Sequence, residues 1–193
     1  MDDTRELKDL WKQMNERLWA LEQENKRMAF NIQRSNYKSA REKLITKYKR
    51  MIVIEIIILV VMSFRLFDSM VDERLRIPTL IYWIVFFLIE ISIDIYLMQK
   101  TKEIDIYKDS IHEIAQKARR NWKIHKAAIF IGLPLAIGFI ILYALSLHAN
   151  IYIVYGIFAG AVLGLILGVS ILRKFIKDYR DLQDEDFTTE ISN

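Results

Sequence analysis

Three carboxylates stand where a charge is costly: Glu55, Glu90 and Asp94 each interrupt an apolar stretch of the chain. An ionisable side chain in such a stretch marks function by default, as a proton relay or an ion site. Glu90 and Asp94 are four residues apart and so share one helix face. At about 1.5 Å of rise per residue, Glu55 and Asp94 fall at similar depth, with Glu90 nearer the middle. No Lys or Arg lies deep in an apolar stretch to neutralise them. The chemistry this set could do is to hold a proton or a cation between two helices. The plainer alternative puts Glu55 and Asp94 at the membrane interface and buries only Glu90, hydrogen-bonded to a Tyr or a Ser such as Ser92 on a neighbouring copy.

Enzyme chemistry has no visible residue set. His112, His125 and His148 are scattered, and no Gly-rich phosphate loop, HExxH, GxSxG or paired metal-ligand spacing appears. The absence of cysteine removes thiol catalysis, disulfides and cysteine metal sites. The expectation is a protein that is not an enzyme, with no cofactor and no bound metal.

The elements that must position the carboxylates follow from how the residues are blocked. Hydrophobic residues make up 53% of the 193 and charged ones 27%, and the two classes are segregated. Apolar runs cover residues 51–67, 77–98, 127–147 and 151–172. Each is close to the roughly 20 residues that cross about 30 Å of hydrocarbon. Two prolines and six glycines leave little room for turns or strands. The fold class expected is all-α: a polytopic four-helix transmembrane bundle with an N-terminal cytosolic amphipathic or coiled-coil helix. Pro78 suits the first turn of the second span. Pro134, between Gly132 and Gly138, predicts a kink in the third. The three-residue link 148–150 makes the third and fourth spans an antiparallel hairpin.

Four of the six glycines, Gly156, Gly160, Gly164 and Gly168, sit in the fourth span at strict four-residue spacing. On a helix they form a ridge without side chains, which in lipid lets a second helix approach closely. Packing within the chain, against the third or first span, is the favoured expectation; a contact between copies is the other.

Residues 1–50 read as a cytosolic helical arm. A heptad seam runs through Leu7, Trp11, Met14, Leu18, Leu21, Asn25, Met28 and Ile32. With Trp11, Leu18, Asn25 and Ile32 at a positions, Leu7, Met14, Leu21 and Met28 fall at d. A lone Asn at a fixes register and two-stranded pairing in parallel coiled coils, and Arg17 at g faces Glu22 at e of a partner strand. Three destinations are open for this seam: a second copy, a groove on a different protein, or the protein's own cytosolic helices. Residues 37–50 then turn basic, through Lys38, Arg41, Lys43, Lys47, Lys49 and Arg50, which predicts contact with anionic lipid. No nucleic-acid motif accompanies them, and no nucleic acid is expected as a partner.

Residues 99–126 form the other polar segment, in which Ile104, Tyr107, Ile111 and Ile114 repeat at threes and fours, the mark of a cytosolic amphipathic helix. Residues 173–193 form a charged tail. The N-terminal flank, the 99–126 segment and the tail are rich in Lys and Arg. The opposite loops hold only Arg65, Arg74 and Arg76 against Asp68, Asp72 and Glu73. The positive-inside rule therefore predicts an inner-membrane protein with both termini cytosolic.

A short acidic start followed by Leu10-Trp11-Lys12, a basic helix, two spans, an amphipathic segment, two more spans and a charged tail is similar to a group of small four-span membrane proteins. These occur in Bacteroidetes-type bacteria, often encoded beside extracytoplasmic-function sigma factors. The resemblance implies an anti-sigma-like role, with the seam and the 104–114 face as the sigma-contacting surfaces, although the chain lacks the Cys and His ligands of zinc-type anti-sigma domains. The expected partners are membrane lipid, a soluble cytosolic protein such as a sigma factor, and a second copy of the chain. The function expected is to tether or regulate that soluble partner. A small oligomeric proton or cation carrier using Glu55, Glu90 and Asp94, and a coiled-coil-dimerised membrane scaffold, are the alternatives.

Overall fold

The computed structural model describes residues 3–65, 72–147 and 151–184. Within them the chain forms four helices: α1 (Asp3–Arg65), α2 (Glu73–Lys102), α3 (Ile111–Ser146) and α4 (Ile151–Gln183). They run up and down in turn, and each packs on two neighbours in the ring α1–α2–α3–α4. Three helical stretches, Glu73–Lys102, Ile111–Ser146 and Tyr155–Gln183, are long and apolar enough to cross a membrane.

Nothing in the first 65 residues interrupts a helix, because the stretch has neither glycine nor proline. At 63 residues α1 is about 95 Å long. Three lengths of it do different things. Residues 6–32 contribute no buried side chain; residues 33–50 pack through Gln33, Tyr37, Ala40, Leu44 and Tyr48; residues 51–65 run beside α2.

The ends of the other helices are closed locally. Asp72 caps α2 by accepting from the Arg74 N–H at 2.8 Å, so the helix begins four residues before the expected 77 and Pro78 lies in its second turn. Ser110 and Glu113 form a reciprocal capping box at the start of α3. α1 closes the remaining ends. Arg41 donates to the Thr101 and Lys102 carbonyls at 3.3 and 2.6 Å, at the end of α2; further along, Lys47 reaches the Lys174 carbonyl inside α4 at 2.7 Å. The Tyr37 hydroxyl and the Gln33 amide donate to the Asp184 carbonyl just past α4. The Arg41 cation at the C-terminal end of α2 also suits the helix dipole. Arg41 and Lys47, expected at the lipid headgroups, thus serve inside the protein.

The segment 99–126 is not one amphipathic helix. α2 carries on to Lys102, a turn held by Asp105 follows, and α3 starts at Ile111 and continues without a break past Pro134. The Asp105 carboxylate accepts the Tyr107 and Lys108 N–H groups, which hold it below the usual carboxylate range. A turn is stabler here because Ile104, Ile106 and Ile114 then all enter one core, while Tyr107 stays 67% exposed. That core, completed by Tyr37, Ala40, Leu44, Tyr48, Leu97, Ala118, Phe175, Tyr179 and Leu182, is the larger of two. The smaller lies in the apolar half: Trp83, Phe87 and Phe139, with Leu59, Met62 and Tyr143 beside them. At the far end, the Asp72 N–H donates to the Ser146 carbonyl at 2.7 Å and joins the start of α2 to the end of α3.

Candidate functional site

Antiparallel packing of α1 on α2 brings Glu55, Glu90 and Asp94 close enough to interact electrostatically with one another. Asp94 is 5% exposed; its Oδ2, like Glu55 Oε2, is buried without a hydrogen-bond partner. Among the described residues no ion pair involves these carboxylates, and no group of acids and histidines has the spacing to hold a metal ion. Glu90 is half-buried and lies over α3, where a Cβ on Gly132 would collide with its carboxyl group. Ser92 does not pair with it: that hydroxyl donates to the Leu88 carbonyl at 2.6 Å, back along its own helix. Three unpaired carboxyls with no basic side chain between them have proton exchange as their available chemistry.

Gly138 has a similar use. A Cβ there would come to 3.2 Å from the Tyr82 hydroxyl, which donates to the Leu135 carbonyl at 2.8 Å. Glycine at these two sites lets polar groups of α2 lie directly on the α3 backbone. Beside them, the Trp83 ring packs at a tilt, 4.1 Å from Phe139 and 4.3 Å from Phe87 between ring centres, closing the far side of the layer with aromatic rings.

The regular glycine series behaves differently, and the expectation of packing within the chain is corrected. A Cβ built on Gly156, Gly160, Gly164 or Gly168 meets nothing within 4 Å. α4 is held to α1 and α3 near its C-terminal end, through Phe175, Asp178, Tyr179 and Leu182, so its apolar half meets its neighbours much less. The link 148–150, and His148 with it, lies outside the described residues.

One cluster escaped the sequence reading. His125, set aside as scattered, sits 5% exposed in the larger core, stacked on Phe175 at 4.8 Å and Trp122 at 5.6 Å. Its Nδ1 lies 3.3 Å from the Tyr48 hydroxyl, and Tyr48 shares a 2.9 Å hydrogen bond with Tyr179. Burial pushes the His125 imidazole down to about 4 and raises both tyrosine hydroxyls above their ordinary range. Lys47 reaches the buried Asp178 at 2.6 Å beside this cluster. The signal that could have found it is Tyr37, Ala40, Leu44 and Tyr48, an apolar and aromatic face at helical spacing among the lysines of 37–50.

The heptad seam is wholly exposed. Leu7, Trp11, Met14, Leu18, Leu21, Met28 and Ile32 are 49–65% accessible, and Asn25 is exposed between them. The first cross-helix hydrogen bonds of α1 come after it, from Gln33 and from Arg34, whose guanidinium donates to the Tyr107 carbonyl at 3.1 Å. α1 packs on the bundle through positions 33, 37, 40, 44 and 48. The seam ends at 32, one residue behind, which sets it about 100° round the helix from the packed face. Docking onto the protein's own cytosolic helices, one of the three destinations, is therefore not what the seam does among the described residues.

No family model, curated protein or solved structure matches the chain. The geometry of the arm and of the carboxylates is what bears on function.

Proposed function

We propose that the chain is a four-span protein of the bacterial inner membrane, both termini cytosolic, that holds its N-terminal helix clear of the bundle as an arm for docking and regulating a soluble cytosolic partner. The observation that carries this reading is the arm itself: some 27 residues of helix, rich in Leu, Trp and Met, turned away from every described part of the molecule. Aromatic and Met side chains favour such adaptable contacts. Four crossings are supported by residues 51–65, which lie in the same layer as α2 and α3, with Trp83 Nε1 donating to the Leu59 carbonyl at 3.4 Å. The orientation is supported by the crowding of Lys and Arg at the end of the bundle that carries the arm. A sigma factor is the partner that the resemblance implies.

The test is a paired pull-down from native membranes, full chain against a chain lacking residues 1–31, which leaves Gln33 and the packed face in place. A soluble protein recovered with the full chain and lost with the truncation supports the reading; a sigma factor would support the resemblance too. Identical recoveries contradict it.

A second reading, an oligomeric proton carrier, is favoured by one observation: the convergence of Glu55, Glu90 and Asp94, with Glu55 Oε2 and Asp94 Oδ2 buried and unpartnered among the described residues. Glu90→Gln and Asp94→Asn in sealed vesicles would abolish a proton flux if this is right, and would leave no flux to change if it is wrong.

A further inference from the structure

We propose that the seam of the arm is filled by a second copy of this chain, in a parallel, in-register pair over residues 7–32. The inference rests on the reading of residues 6–32 as a docking arm and names what covers its apolar stripe.

A lone helix of this length is marginal in water, and this one exposes an apolar stripe along its whole run. Something must cover it. Lipid does not fit, because α1 is one helix from the arm into residues 51–65 and so carries the arm away from the apolar layer. The same continuity fixes the direction of pairing. Two copies in one membrane raise their arms on the same side, pointing the same way and starting from the same height, so parallel strands in register arise without adjustment.

In that register the polar residues of the seam are self-complementary. Asn25 meets Asn25 of the second copy, and the amide of each can donate to the carbonyl of the other. An apolar groove on an unrelated protein would leave that amide buried without a partner, a costly outcome. Arg17 at g reaches Glu22 at e of the second copy. Glu22 uses Oε1 for Lys26 at 2.8 Å, which leaves Oε2 for the guanidinium.

The bundle does not obstruct the pair. The seam lies about 100° from the packed face of α1, so a second arm approaches from the side, away from its partner's bundle. The stripe also ends where it should: the same face continues as Asn36, Ser39, Lys43 and Arg50, too polar and too basic to pair closely beside the membrane. Trp19 and Phe30, 65% and 42% exposed on the face of the arm that continues the packed face of α1 and lies away from the seam, stay available to a soluble partner.

The chain has no cysteine, so single-cysteine variants report alone. Met14→Cys and Leu21→Cys place the thiol at d, and Glu16→Cys and Gln23→Cys at f. On mild oxidation of native membranes, the d variants should form disulfide-linked dimers at least about tenfold faster than the f variants, since only d brings like positions within disulfide geometry. Equal rates at d and f, or no dimer at d while the chain stays in the membrane, overturn the proposal. Co-expressed Met14→Cys and Leu21→Cys chains, whose thiols in-register pairing sets a heptad apart, should not cross-link to each other; cross-linking between them contradicts in-register pairing. Seam cysteines that stay unlinked while removal of residues 1–31 still loses a soluble protein would overturn the pairing and leave the docking reading standing. Loss of neither would remove the arm from both.

Discussion

The arm-bearing end and the apolar half of this bundle are built from the same four helices, yet they pack differently. Near Tyr37–Tyr48 twelve side chains form one closed core, and Arg41 and Tyr37 of α1 cap the ends of α2 and α4. Among the described residues of the apolar half only Trp83, Phe87 and Phe139 form a buried hydrophobic cluster, and α4 leaves Phe158, Leu163 and Ile166 between 62% and 70% exposed. The difference follows from the solvent. In water, each apolar side chain gains by leaving it. In lipid an Ile is in apolar surroundings on either side, so close approach is kept for groups that lipid cannot satisfy. Glu90 over Gly132 and Tyr82 at Gly138 are such groups. The glycines that matter within this chain are the two beside polar neighbours, and not the four in a regular row.

The sharpest way to break this comparison is to cut equal-sized holes in its two halves. Leu44→Ala removes a fully buried side chain from the larger core and should cost about 2–5 kcal/mol. Ile57→Ala, at a side chain 55% exposed among the spans, should cost about 0.5 kcal/mol or less. Unfolding in mild detergent reads both, and equal losses would mean the halves are held alike.

The pH dependence should belong to the arm-bearing end. His125 is neutral in the folded protein down to about pH 4, against an ordinary value near 6.5. Between those values the unfolded chain binds the extra proton, so stability is full above about pH 6.5 and falls as pH drops toward 4, by up to about 3 kcal/mol. His125→Gln should flatten that slope, measured as thermal midpoint against pH; an unchanged slope would assign it elsewhere.

Among the spans, Gly132→Leu should displace the Glu90 carboxyl and cost about 1–3 kcal/mol. Gly160→Leu meets open space and should leave the folded chain as stable or up to about 1 kcal/mol more so, by helix propensity. Smallest of all, Lys117→Ala removes an exposed ion pair with Asp109 and should change stability by about 0.5 kcal/mol or less.

Much of this architecture was legible in the sequence. Apolar blocks gave the helices their places, and the heptad spacing of Leu7 to Ile32 marked a face that α1 does not use on its own bundle. The carboxylates were legible too, because a charge inside an apolar run announces itself. Three things were not. Segment 99–126 repeats at threes and fours, but periodicity does not say that Ile104 and Ile114 belong to two helices joined by a turn. Small-residue spacing says that a close approach is possible, and not that one occurs, which is why Gly156 to Gly168 misled and Gly132 passed unread. His125 became meaningful only when Tyr48, Phe175 and Tyr179 met it from two other helices, a tertiary arrangement with no local signature.

The central claim is that the seam of the arm is held away from the protein's own core and kept for a partner. A distance between spin labels at Met14→Cys and Arg180→Cys, in membranes where labelled chains are diluted by unlabelled ones, tests it most directly. The packing of Lys47 on Asp178 and of Tyr37 on Asp184 sets residue 180 level with the low forties of α1. An extended arm then places the labels about 40 Å apart. A single narrow distribution there is the predicted result. A distance of about 20 Å or less, the span of two packed helices, would mean that the arm folds back onto its own bundle, and the account would be wrong at its centre.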